Sequence, residues 1–485
     1  MTKEINKTVS DLKENDVFKH FIKITEIPHN SFEEKELSDA IKSWAKDMKF
    51  EVKQDDHNNL LIRKKGSKGR ENEKPVILQA HIDMVCEKIP TYDHNFSKDP
   101  IPLVLEGDIL STGGKTTLGA DDGIGVALAM AVLENATDHP PLDAIFTTAE
   151  EEDLSGAINV DKSWFFTNRL INIDNTFDNQ IVMGSAGGKG VEVIFDKDLE
   201  KLSGDKVFYQ VDVCGLMGGH SGEDIDKGRG NAIIILANLL DYLKKDLDYR
   251  LTKIGGGNFR LAIPREAKAT LAIDRKDKDI FFEKVSKFKG FMEEIFHTSA
   301  KDFDIVIEEE EKSESAIKKE SLEKIIDFIL LFPNGINDMM PGLGIVESSC
   351  NLGEINMGEE IKLAAEIRAT YEINTDLIYR KIEILGKNLG ARVRDFAAYP
   401  SWKFMADSEL AEAYRKTHES LYGEDMEVIV IHAGLEPGCF APKIEDMDAI
   451  SIGPNVWSLH SPSERVSISS TDKTYRILTK LLKNI

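Results

Sequence analysis

Residues 75–83 read PVILQAHID, an apolar run that stops on His81, Ile82 and Asp83. Val76, Ile77 and Leu78 follow one another without a polar face, so the segment reads as a strand buried on both sides, as in parallel sheets. Alternation along an extended chain then points His81 and Asp83 the same way while Ile82 faces the core. Three more runs share this shape: Ala144–Thr148 in AIFTTAEEE, Leu170–Ile173 in LINIDNT, and Ala449–Ile452 in AISIGPNVWSLH. Each is followed by residues able to bind a metal. Open α/β sheets place their ligands beyond the carboxyl ends of the strands, so these four runs predict an α/β fold with one shared site. Gly123–Leu133, rich in Ala, Val, Leu and Met, reads as a helix between the first two strands.

The middle of the chain, roughly Gly188–Pro400, has a different texture. Alternating strands at Lys206–Val213 and Lys268–Ile273 are each followed by a helical pattern, Asn231–Lys245 and Asp279–Phe296. An internal echo runs through it: Asn258 precedes Arg275 by 17 residues, and Asn351 precedes Arg368 by 17, at an offset of 93. Both segments suggest a hairpin entering a helix, and hence two similar subdomains in tandem. The acidic run Glu308–Glu311 reads as a solvated turn between them. Because the strand at Ala449–Ile452 matches those before residue 175, the expected organisation is one discontinuous domain, 1–187 plus 400–485, with 188–399 inserted. The chain's 485 residues also favour more than one folding unit, since single cores stop growing near roughly 250–300 residues.

With 61 Lys+Arg against 85 Asp+Glu, the net charge is −24. This acidity argues against nucleic acid or an anionic membrane as a main partner and is compatible with binding cations. Four cysteines, Cys86, Cys214, Cys350 and Cys439, lack CxxC spacing and predict neither a disulfide framework nor a thiolate zinc module. The charged amino terminus and the shortness of the apolar runs give no sign of a signal peptide or a membrane span, and a cytoplasmic address is expected. Gly113-Gly114-Lys115-Thr116 invites a phosphate-loop reading, but that pattern needs a glycine where Ile109 stands.

The residues with chemistry are few. His81 and Asp83 could be a ligand and its orienting carboxylate. Asp121 and Asp122, in LGADDG, could bridge cations or cap the following helix. Glu150 and Glu151 open an acidic run in which one carboxylate could bind metal while its neighbour handles a proton. Asp174 and His460 each follow a strand. Two His and several acids without thiolate suit Zn²⁺, Mn²⁺ or Co²⁺.

In this order HID, LGADDG, FTTAEEEDLSGA, LINIDNT and LHSPSE resemble the motifs of the co-catalytic dizinc exopeptidases. GLMGGHSGEDIDKGRGNA (from Gly215) and HAGLEPG (from His432), with the large insert, narrow the resemblance to bacterial aminoacyl-histidine dipeptidases, cytosolic carnosinase-like enzymes. The resemblance spans essentially the whole chain. It implies a mixed-sheet α/β catalytic domain, two Zn²⁺, and hydrolysis of dipeptides, Xaa-His dipeptides such as carnosine among them. It places His81 and Asp174 on one metal, Glu151 and His460 on the other, and Asp121 between them, with Asp83 orienting His81. Glu150 would be the general base towards a zinc-bridged water. In the inserted lid, His220 would serve the oxyanion and Arg368 the substrate carboxylate, while His432 and Gly434 would line the pocket. Asp153 stands where the family usually has glycine, and Pro437 where close relatives often have cysteine. An aminoacylase or amidohydrolase on the same scaffold, or a non-catalytic metal-binding relative, are the alternatives; a homodimer is left open. A lid of this size could supply His220 within one chain. Mixing His220→Ala and Glu150→Ala proteins is then expected to restore no activity; turnover in the mixture would show sharing across subunits.

Overall fold

The computed structural model describes residues 8–341 and 344–485. The chain forms two compact units.

The first unit comprises Met1–Ser185, Trp402–Val430 and Leu435–Ile485. Its larger sheet has eight strands: β1 (Glu51–Gln54), β2 (Leu60–Lys64), β3 (Val76–His81), β4 (Leu142–Thr147), β5 (Arg169–Asn172), β6 (Gln180–Ser185) and, from the carboxyl-terminal segments, β15 (Glu427–Ile431) and β16 (Asp448–Ser451). The order is β1-β2-β4-β3-β5-β16-β6-β15. The central strands β4, β3, β5 and β16 run parallel, whereas β1–β2, β2–β4 and β16–β6 pair antiparallel, so the sheet is mixed. Every residue of β3, β4 and β16 is buried, which is why these strands read as mostly apolar segments without alternation, with Gln79, Asp143 and Asp448 among the buried polar exceptions.

Of the helices in this core, α1 (Phe18–Thr25) packs on α2 (Ala120–Asn135), whose residues from Gly123 to Leu133 are all buried. A helix that is apolar all round belongs inside. The expected Gly123–Leu133 helix is therefore present and longer, although Asp121 and Asp122 at its start are non-helical, at φ −85, ψ 106 and φ −111, ψ 28.

The second unit comprises Ala186–Ser401 and Ile431–Gly434. Its main strands are β7 (Gly187–Asp196), β8 (Lys206–Cys214), β9 (Arg250–Gly256), β10 (Ala267–Asp274), β11 (Asp304–Glu309), β12 (Val346–Met357), β13 (Glu360–Ala369) and β14 (Arg392–Tyr399), in the order β11-β8-β10-β9-β12-β13-β7-β14. A short strand at Gly335–Met339 adds to β12. Its helices are α3 (Ala232–Lys244), α4 (Lys278–Phe296), α5 (Lys319–Leu331) and α6 (Glu372–Asn388). Two βαββαβ halves are visible in this order. One is contiguous, β8-α3-β9-β10-α4-β11. The other begins with β7 and resumes, after the first half, as α5-β12-β13-α6-β14.

The halves share a single sheet, joined where β9 pairs antiparallel with β12 at Gly255↔Asn356 and Gly256↔Ile355. The Asn–Arg echo does not fall on equivalent places: Asn258 and Arg275 lie just beyond β9 and β10, whereas Asn351 and Arg368 lie inside β12 and β13. The second half has longer strands joined by a shorter turn, which accounts for the shift. Glu308 and Glu309, expected in a turn, instead end β11, an edge strand on which acids can face water.

The four cysteines are free thiols, and among the described residues no helix is long and apolar enough to cross a membrane. On α1, His20 is buried with Nε2 2.8 Å from a Glu134 carboxylate oxygen, and burial outweighs that partner to lower its pKa to about 4. A base less basic in the folded state stabilises it fully above the unfolded value of 6.5 and progressively less as pH falls from 6.5 towards 4. Urea unfolding should therefore show a loss of up to about 1.4 kcal/mol per pH unit in that window, and His20→Gln should flatten it.

Candidate metal centre

Within the first unit, the carboxyl ends of the parallel strands carry a cluster of acids and imidazoles. His81 is the last residue of β3, and its Nε2 lies 3.2 Å from Asp121 Oδ1 and 3.8 Å from Asp174 Oδ1, two residues past β5. His460 faces the other side of Asp121, with Nε2 3.3 Å from Oδ2, and lies 2.9 Å from Glu151 Oε2. Three sets of ligand atoms fall within 4.8 Å of one another: His81, Asp121 and Asp174; His81, Glu150 and Glu151; and Asp121, Glu151 and His460. All seven residues expected in this site, from His81 to His460, are thus close together.

Asp83 connects two parts of the cluster. One oxygen lies 3.3 Å from His81 Nδ1 and also accepts the Glu150 N–H at 3.1 Å. The other accepts the Glu151 N–H at 3.2 Å and the Ser31 hydroxyl at 2.8 Å. The same carboxylate thereby orients the ring and holds the turn that bears both glutamates. That turn starts at Ala149, whose φ of +53 places it in the left-handed region, and whose N–H donates to Glu34 Oε1 at 2.9 Å. The two residues of the Asp pair face different ways. Asp122 Oδ1 accepts the Gly125 N–H at 3.1 Å as a cap does, while Asp121 faces the imidazoles.

The electrostatics follow from burial and crowding. Burial, then the charges around them, pushes Glu150 and Asp174 well above the usual carboxylate range, and Glu151 is raised by burial and by Asp121. Burial would raise Asp121 too, but the His460 and His81 rings outweigh it and hold this carboxyl down. Burial would lower the His460 pKa, but the Asp121 and Glu151 carboxylates overcome it and push it up to about 11. Acids that cannot all ionise together, arranged around two imidazoles with no thiolate, form a donor set that fits a divalent cation with nitrogen and oxygen ligands.

A second polar cluster lies within the second unit. Arg368, buried in β13, donates through Nη1 to the Tyr399 hydroxyl at 2.6 Å and through Nε to Ser221 Oγ at 3.3 Å, and its Nη2 lies 3.2 Å from His220 Nε2. Tyr399 in turn donates to Glu366 Oε1 at 3.2 Å, and Arg260 Nε lies 3.1 Å from Glu366 Oε2. His432 Nε2 is 2.7 Å from Ser349 Oγ, and burial, with Arg368 and His220 adding to it, lowers its pKa to about 3. Gly434 is required by space: a Cβ there would come within 2.9 Å of the Tyr399 ring.

Comparison with known families gives a match to peptidase family M20/M25/M40 over residues 77–484. The chain belongs to this family. It is 36% identical over 481 residues to the cytosol non-specific dipeptidase of Escherichia coli (strain K12), covering 98% of this chain and 99% of that one. The aminoacylhistidine dipeptidase of Vibrio alginolyticus superposes with a TM-score of 0.86 at 32% identity, covering 99% of both chains. Aminopeptidase PepT from Bacillus cereus shares the fold alone, with a TM-score of 0.57 at 14% identity over 96% of this chain and 97% of that one. The family resemblance carried by the ordered motifs, and the mixed α/β fold it implied, are borne out.

The sequence reading of this peptidase missed several residues. Ser31 and Glu34 support the site from a segment with no local signal of its own. Glu436 and Glu464 stood inside quoted motifs, yet nothing in those motifs tells a buried carboxylate from an exposed one. Glu436 is fully buried, accepts from Thr147 Oγ1 at 2.8 Å and bonds Gln79. Tyr399 and Glu366 escaped notice because their role depends on Arg368. Tyr399→Phe should leave Arg368 and Glu366, both buried, without their shared hydroxyl, at a cost of about 1–3 kcal/mol in denaturant unfolding.

Proposed function

We propose that this chain is a metal-dependent dipeptidase that uses two divalent cations, zinc being the first choice and Mn²⁺ or Co²⁺ the alternatives. The observation that carries the reading is the position of Asp121, its two oxygens facing His81 and His460 from opposite sides. His81 and Asp174 would hold one ion, Glu151 and His460 the other, and Asp121 would be common to both. Residues 1–187 plus 400–485 are taken as the catalytic domain and 188–399 as a domain inserted into it. The names of the Escherichia coli and Vibrio relatives support dipeptides as substrates, Xaa-His dipeptides such as carnosine included, and the first supports a cytoplasmic address.

Bound divalent ions would supply Lewis acidity towards the scissile carbonyl and would make a water more acidic. The chain's own residues do the remainder. Asp83 fixes the tautomer and direction of His81 and the turn bearing Glu150. Glu150, kept poorly solvated by its burial, accepts the proton of the attacking water and returns it to the departing amine. Arg368 takes the substrate's terminal carboxylate, a task that suits a planar guanidinium, with His220 as donor to the developing oxyanion and His432 and Gly434 lining the pocket.

Hydrolysis of dipeptides should stop with EDTA and return on adding Zn²⁺, Mn²⁺ or Co²⁺; absence of metal-dependent cleavage of any dipeptide would overturn the reading. Cleavage of N-acyl amino acids in place of dipeptides would favour an aminoacylase. Glu150→Ala should lose turnover by two or more orders of magnitude while keeping about two metals per chain, and loss of metal instead would exchange the roles within the acidic turn. Arg368→Ala should act chiefly on KM.

A further inference from the structure

Four consecutive backbone N–H groups point at one carboxylate. Leu118 and Gly119 donate to Glu464 Oε2 at 2.7 and 3.1 Å, and Ala120 and Asp121 donate to Oε1 at 2.8 and 3.2 Å. Glu464 is 2% exposed. N–H groups ahead of a helix have no acceptor within it, and burial makes an unpaired one costly. A local cap is a short Ser, Asn or Asp that satisfies one or two of them. Here a side chain 343 residues away from Asp121 satisfies four with both of its oxygens.

The turn so gripped is the one that aims Asp121. Its backbone is non-helical at that residue, so the direction of the carboxylate is not set by a helix. Its two oxygens nevertheless meet His81 Nε2 at 3.2 Å and His460 Nε2 at 3.3 Å. Glu464 also belongs to the segment that brings His460, since its own N–H closes a turn onto Ser461 O at 3.0 Å. One short loop therefore carries both an imidazole and the anchor of the carboxylate that imidazole faces.

We propose that Glu464 is a positioning residue of the metal centre, which fixes the Asp121 carboxylate between His81 and His460 by holding the Leu118–Asp121 turn against the His460 loop. The inference rests on the reading of Asp121 as the ligand shared by two cations. Glu464→Gln keeps the shape of the side chain but turns an NH₂ group towards two of the donors, so the turn loses half its acceptors.

The test measures Zn²⁺ affinity of metal-free, full-length protein by competition with a chromophoric chelator, alongside thermal unfolding without metal and dipeptide kinetics at saturating Zn²⁺. Glu464→Gln should weaken zinc binding about 10–100-fold and lower kcat with KM within about twofold of wild type. Glu464→Asp, which keeps the charge but shortens the reach, should fall between the two. Asp448→Asn is the control, because Asp448 is also buried and accepts the Leu410 N–H at 3.0 Å at a helix start away from the site. It should lower thermal stability and leave zinc affinity unchanged. Wild-type zinc binding with unaltered affinity in Glu464→Gln would overturn the positioning role, as would a Glu464→Gln protein that folds neither with nor without Zn²⁺. Failure of the wild type to bind zinc would instead bring down the ligand reading of Asp121.

Discussion

Asp121 is contacted by two imidazoles from widely separated parts of the chain, and the arrangement of the first unit follows from that contact. Burial alone would favour the neutral carboxyl, but His81 and His460 together stabilise the anion enough to reverse the preference. Glu150 and Asp174 have less compensation and are driven the other way. So many acids in a low-dielectric pocket are unfavourable unless cationic charge enters among them. Family membership and the N/O donor set agree with that requirement, and the scaffold is built to impose it. The parallel strands fix the backbone at each strand end, and buried carboxylates at Asp83, Glu34 and Glu464 hold the turns beyond.

Much of this was legible in the sequence because two simple constraints act on it. Strands buried on both faces are mostly apolar and do not alternate, which marked the centres of β3, β4, β5 and β16 as short apolar runs. Polar residues immediately after such runs then had to lie at one edge of the sheet. The motif order supplied the remainder, and with it the family. What could not be read was anything decided by burial of a charged side chain. Glu464, Glu436 and Glu34 look in sequence like many of the other acids of this acidic chain. They differ only in that the fold surrounds them and gives their oxygens N–H or hydroxyl donors.

The second unit shows the same limit in another form. The echo of Asn and Arg suggested two related halves, and two βαββαβ halves are present, although its residues do not fall on equivalent places in them. It could not show that the halves share one continuous sheet, since hydrogen bonding between β9 and β12 has no side-chain signature. Nor did equal spacing mean equal position. Arg275 is an exposed residue of a turn paired with Asp205, whereas Arg368 is buried in a strand, with Ser221 and Tyr399 accepting its N–H groups. The identity of a residue carried less information than its depth.

The order of strands in the first unit is also a timetable for synthesis. β16 belongs between β5 and β6, yet it is translated after the whole of the second unit. Until it arrives, the centre of that sheet has a gap between strands already made. His460 and Glu464 come later still, so neither the second imidazole nor the grip on the Asp121 turn exists in a nascent chain. The contiguous half of the second unit, by contrast, has all its strands in hand long before. The site residues are all present only once the segment carrying β16, His460 and Glu464 has been made.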